Sequence, residues 1–137
     1  MQKQEPPKAK RLPSPLEIKH APVVTGAGRG RIIGVPTINI QPSAVPPSLT
    51  HGVYACRVIL DGKQLMGAMH YGPRPVFADS VSFEIHLLDV VPKERPENVD
   101  IAIVGKIRDI KHFPSPEALK TAIEHDIREV RAMLSHA

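Results

Sequence analysis

From Val23 onward the large apolar residues recur mainly with period two, in short runs separated by proline clusters. Ile38 and Ile40 alternate with Thr37 and Asn39, and Phe83, Ile85 and Leu87 with Glu84 and His86. Val99, Ile101 and Ile103 alternate in the same way with Asp100, Ala102 and Val104. Strand side chains point alternately to two faces, so each run predicts a strand with one apolar face. The predicted strands are Val23–Thr25, Thr37–Ile40, Gly52–Leu60, Gln64–His70, Ser82–Val90 and Val99–Ile107. Asp61-Gly62 predicts a tight hairpin between the third and fourth, because a type I′ turn needs positive φ at both centres. The period changes once. Leu119, Ala122, Ile123, Ile127, Val130 and Leu134 recur at helical spacing, with Lys120, Glu124, Arg128 and Arg131 elsewhere on the wheel. Ser115 suits the N-cap, Pro116 the first helical position, and Glu117 the positive end of the helix dipole. The pattern as a whole predicts a mainly β domain, a small closed sheet with one C-terminal helix packed against it.

Residues 1–22 break this pattern. They hold five of the fifteen prolines and almost no periodic apolar residues, which predicts a flexible tail at 1–22 before a domain at 23–137. On that reading, deleting residues 1–20 leaves fold and activity nearly unchanged. The tail also carries most of the charge. Lys3, Lys8, Lys10, Arg11 and Lys19 against Glu5 and Glu17 give +3 of the formal +4, leaving +1 for the body. A near-neutral body with no Trp, two Tyr and three Phe argues against a nucleic-acid surface. At 137 residues the chain can bury one core but not two ordinary ones. Cys56, the sole cysteine, lies in an apolar run and reads as a core residue. The seven histidines lack zinc-site spacing. No apolar run is long enough to span a membrane, and the start lacks the apolar centre of a signal peptide. A cytoplasmic monomer without nucleic-acid or membrane partners is expected.

The candidate chemistry begins at Gly26-Ala27-Gly28-Arg29-Gly30-Arg31. Glycines at alternate positions let successive N–H groups converge on an anion, and no Cβ blocks its approach. The strand that follows sets Thr37 and Asn39 on one face. A hydroxyl and an amide oxygen beside an anion cradle suit a hard cation such as Mg²⁺ that bridges phosphates. No P-loop motif occurs, and the glycines run into β-branched residues and Pro36 rather than opening a helix, unlike a dinucleotide fingerprint. A Gly-rich hairpin loop with its arginines in water fits the same spacing. Glu84 stands out on its strand, opposite the face of Phe83, Ile85 and Leu87, although a strand glutamate is most often a solvent-facing carboxylate. His86 faces the same way and is either a neighbour that modulates Glu84 or a plain polar strand residue.

The order of these residues resembles the riboflavin kinase family. Its Gly-x-Pro-Thr-x-Asn signature is matched by Gly34-Val35-Pro36-Thr37-Ile38-Asn39, and the strand of its catalytic glutamate by Phe83-Glu84-Ile85-His86-Leu87-Leu88-Asp89. Gly52-Val53-Tyr54, Ala102–Arg108 and Phe113-Pro114-Ser115 with the closing helix continue the likeness, which covers residues 22–134. The resemblance implies a six-stranded Greek-key barrel that transfers the γ-phosphate of ATP to the 5′-hydroxyl of riboflavin, giving FMN and ADP with Mg²⁺. It implies Glu84 as general base and Thr37 and Asn39 as metal and phosphate contacts. Gly26, Gly28, Arg29, Gly30, Gly34 and Pro36 become the nucleotide loop, with Arg29 or Arg31 neutralising phosphate. Arg108 matches the arginine that opens the flavin-side loop; a salt bridge with Asp109 or Asp126 is its alternative role. Phe113 is expected to anchor that loop in the core. With no nucleotidyltransferase segment ahead of residue 22, the chain is expected to make FMN and not FAD. Three segments depart from the family pattern. His70-Tyr71-Gly72 stands for Asn-Ile-Gly, Lys93–Asn98 for a Tyr-Gly turn, and Ile110 for an acidic residue. They keep open a second reading, a flavin- or nucleotide-binding module on the same barrel without turnover.

Overall fold

The computed structural model describes residues 9–24, 37–73, 81–89 and 95–135. Six strands, β1 (Lys10–Val24), β2 (Thr37–Ile40), β3 (Gly52–Leu60), β4 (Lys63–Pro73), β5 (Val81–Leu87) and β6 (Asn98–Arg108), precede one helix, α1 (Pro116–Ser135). They close into a barrel in the order β1-β2-β5-β4-β3-β6, and every pairing is antiparallel. The consecutive strands β3, β4 and β5 lie side by side, and β6 returns to the far side of β3. That is a Greek key. Asp61 (φ 50°) and Gly62 (φ 76°) form the predicted hairpin turn. Ser115 Oγ accepts from the Ala118 N–H at 3.1 Å, the N-cap bond expected of it.

The alternation of β3, β4 and β6 divides their side chains between two apolar clusters. Ile38, Ile40, Tyr54, Cys56, Val58, Met69, Phe83, Ile85, Leu87, Val99, Ile101 and Ile103 fill the barrel. Val53, Ala55, Ala68, Val104 and Ile107 sit outside it, under Val130 and Leu134 of α1. The ladder between β3 and β6 slips at two places. Ala55 and Cys56 face Gly105 and Ile103, and Val53 and Tyr54 face Arg108 and Lys106, so Val104 and Ile107 are the extra residues. A bulge of this kind re-aims its side chain. Both bulged residues join the cluster beneath the helix.

The segment read as a tail is largely a strand. Lys10 to Pro22 pairs along β6, and Val23 and Val24 pair with Ile40 and Asn39, so β1 closes the barrel. Its inward residues, Leu12, Leu16, Ile18 and Ala21, are not evenly spaced because the register shifts between Arg11 and Leu16 and again between Ile18 and Ala21. Pro13 and Pro15 fall within the first shift, where the missing N–H breaks no regular ladder bond. His20 takes a positive φ of 52° in the second, and its N–H donates to Asp100 Oδ1 at 2.8 Å. Thr25 and Val90, the ends of two predicted strands, lie outside the described residues.

Candidate active site

The outer face of β2, β5 and β4 carries two rows of paired residues. Thr37, His86 and Ala68 form one row, and Asn39, Glu84 and His70 the next. Phe83, Ile85 and Leu87 are committed to the barrel interior, so the intervening Glu84 and His86 must point outward. They are nevertheless buried, Glu84 at 8% exposure and His86 at 7%. The reading of Glu84 as a carboxylate in open water is therefore excluded. Thr37 and Asn39 are half-buried on the same face.

Thr37 Oγ1 and His86 Nδ1 lie 3.1 Å apart. Burial lowers the His86 pKa from its ordinary 6.5 to about 4, with the Asp126 carboxylate of α1 opposing the shift, so the ring is neutral at neutral pH. In the next row His70 Nδ1 is 3.2 Å from Ser82 Oγ, which lies 3.5 Å from the Gly72 carbonyl. Ser82 escaped the sequence reading. The signal was its place two residues before Glu84, on the same face.

Arg108 forms an ion pair with Asp126. Its Nε and a terminal nitrogen each donate to Asp126 at 2.7 Å, its other terminal nitrogen donates to the Asp109 carbonyl at 3.1 Å, and Asp126 is buried. The guanidinium also lies 5.5 Å from the centre of the Phe113 ring. Phe113 is half-buried against that arginine and belongs to neither apolar cluster, so it does not anchor the loop in the core. Gly26, Gly28, Arg29, Gly30, Arg31, Gly34 and Pro36 lie outside the described residues, as does Lys93. A cavity of about 400 Å³ lies elsewhere, between the Asp61-Gly62 hairpin and Pro96–Asp100, and none of its lining belongs to the Glu84 face.

The donor set on β2 fits a hard cation. Thr37 supplies a hydroxyl and Asn39 an amide, and Glu84 stands across the ladder from Asn39. Mg²⁺ binds through a few such oxygens and completes its shell with phosphate and water. Among the described residues no group of three or more His, Cys, Asp or Glu could hold a metal by itself.

A family model described as flavokinase, riboflavin kinase, matches residues 12–134. The chain belongs to the riboflavin kinase family. Among its relatives is the bifunctional riboflavin kinase/FMN adenylyltransferase of Pseudomonas fluorescens, 35% identical over 81% of this chain and 36% of that protein. Proteins of the same name from Escherichia coli K12 and Haemophilus influenzae are 38% and 34% identical, over 76% and 82% of this chain. The chain spans about a third of the length of these relatives. A crystal structure of a macrolide-efflux protein from Streptococcus pneumoniae superposes with a TM-score of 0.68 at 25% identity, over 85% of this chain and 38% of that one. The riboflavin kinase match begins inside β1, which agrees with β1 being part of the barrel. Among the described residues no helix is long and apolar enough to cross a membrane.

Proposed function

We propose that this chain is a riboflavin kinase, moving the γ-phosphate of ATP to the 5′-hydroxyl of riboflavin with Mg²⁺ to give FMN and ADP. The observation that carries the reading is the direct cross-strand pairing of Asn39 with the buried Glu84, which sets a sheltered carboxylate beside the oxygens suited to a metal–nucleotide complex. Thr37 and Asn39 would hold the cation, and with it the phosphates. The loop of Gly26, Gly28, Arg29, Gly30, Gly34 and Pro36 cradles them. Glu84 accepts the proton of the ribityl hydroxyl as that oxygen attacks phosphorus; the new O–P bond forms, the bond to the bridging oxygen breaks, and ADP leaves with its electron pair. Bound Mg²⁺ would supply charge neutralisation on the phosphates. Phosphoryl transfer needs little else from the protein beyond positioning. Arg108, held by Asp126, acts at the start of the flavin-side loop.

Incubating the protein with riboflavin, ATP and Mg²⁺ should yield FMN and ADP in equal amounts by chromatography. Binding of riboflavin and nucleotide without any FMN would replace the kinase with a non-catalytic binding module.

A further inference from the structure

We infer that His86 is a positioning residue for the metal site: its Nδ1 accepts the Thr37 hydroxyl hydrogen and so turns the oxygen lone pairs of Thr37 toward the cation. This rests on the reading of Thr37 as a metal contact. A threonine hydroxyl has one hydrogen and two lone-pair directions, and it rotates freely about its C–O bond. A metal ligand must keep a lone pair on the cation and send its hydrogen elsewhere.

The contact between Thr37 and His86 meets that need. Thr37 and His86 are directly paired across β2 and β5, and Oγ1 and Nδ1 are 3.1 Å apart. The opposite arrangement, with a proton on Nδ1, would occupy an oxygen lone pair and leave the hydroxyl hydrogen free to face the cation. A neutral imidazole with its proton on Nε2 avoids this. The bond also cooperates with metal binding, because a hydroxyl whose oxygen is shared with a cation is a stronger donor. Both partners sit on strands of the closed barrel, and His86 is 7% exposed, so the imidazole end of this part-buried bond is shielded from competing water. Partners that orient metal ligands in this way typically contribute 10–100-fold to metal affinity or activity.

The test measures ADP affinity by calorimetry with and without Mg²⁺, on the full chain, for wild type, His86→Leu, His86→Asn and Thr37→Val. The asparagine can offer its amide oxygen where Nδ1 lies; leucine cannot. His86→Leu should lose roughly 10-fold of the Mg²⁺-dependent gain in ADP affinity, within the range for such partners, with the Mg²⁺-free affinity unchanged. His86→Asn should keep most of that gain, a rescue that a purely structural role would not give. An undiminished gain in His86→Leu, when Thr37→Val loses it, overturns the role of His86 alone. An undiminished gain in Thr37→Val overturns the metal reading of Thr37 beneath it. Should His86→Leu not fold, nitrogen-15 NMR of the wild-type ring with Mg²⁺ and ADP decides the matter. A proton on Nε2 is the expected result, and a proton on Nδ1 sinks the inference.

Discussion

Glu84 combines two properties that rarely coincide on a strand, a carboxylate and near-complete burial, on the face opposite three large core residues. A general base contributes mainly to the chemical step, typically ~10²–10⁴-fold. Glu84→Gln keeps the shape and the hydrogen-bonding capacity but cannot take the hydroxyl proton. We expect kcat to fall by roughly 100-fold or more, with riboflavin and nucleotide affinities little changed; turnover at the wild-type rate would remove Glu84 from the role. His86 gives a second expectation at this scale, for stability against pH. Its folded pKa of about 4 lies below the ordinary 6.5, so between those values the unfolded chain binds a proton that the folded one refuses. The resulting stability is complete above pH 6.5 and is lost as pH falls toward 4. From pH 7.5 to 5.0 the loss should be about 2 kcal/mol, at ~1.4 kcal/mol per pH unit below the unfolded value. The charge that acts on the ring is Asp126 on α1, itself paired with Arg108 on β6, and Glu84 and His70 lie in the neighbouring row of the same face. Urea unfolding of wild type against His86→Asn at the two pH values isolates the histidine share, and an equal loss in both proteins would assign the pH effect to the carboxylates.

At the scale of elements, β1 is where the sequence was least readable. Leu12, Leu16, Ile18 and Ala21 all turn inward, but spacings of four, two and three residues match neither a strand nor a helix. The two register shifts that produce this spacing arise from pairing with β6, which no local pattern can report. Regular strands were legible because alternation survives wherever pairing is regular, as in Phe83-Glu84-Ile85-His86-Leu87. In the same way the sequence marked the face of Glu84 but not its burial, since cover comes from elsewhere in the chain. The bulged Val104 had a weaker mark, a large apolar residue in step with Asp100 and Ala102, whereas Ile107, in step along the sequence with Val99, Ile101 and Ile103, had none. Gly105, between them, has a readable reason only in three dimensions: a Cβ there would lie 2.6 Å from the Lys10 carbonyl and 3.0 Å from Arg11 Cα. This glycine is what lets β1 cross closely. Deleting residues 1–8 removes no described ladder pair and should leave the melting temperature nearly unchanged. Deleting residues 1–19 removes most of the β1–β6 ladder and should abolish cooperative unfolding, against the expectation for a tail. A cooperative, active protein after the longer deletion would show that the other five strands close without β1.

At the scale of the whole molecule, two apolar clusters share their strands. Tyr54, Cys56 and Val58 of β3 face the barrel interior, and Val53 and Ala55 of the same strand face the helix. Neither side of β3 can lose its packing without disturbing the other, which argues that barrel and helix unfold together. The arginines of β1 and β3 add to this coupling. Arg11 donates to the Met133 carbonyl and Arg57 to the Leu134 carbonyl at 3.0 Å, satisfying acceptors at the C-terminal end of α1 that have no partner within the helix. The composition makes the claim testable without labels. There is no Trp, and both tyrosines, Tyr54 and Tyr71, belong to or pack against the inner cluster, so near-ultraviolet dichroism reports the barrel interior. Far-ultraviolet dichroism at the helical minimum reports α1. Val130→Ala removes two methyl groups from a fully buried helix position, at a cost of about 2 kcal/mol with the cavity left behind. At roughly 3 °C per kcal/mol for a chain of this size, both signals should shift down together by about 6 °C. A helical signal that melts first, with the tyrosine signal holding its wild-type midpoint, would mean that α1 is an independent unit laid on a self-sufficient barrel.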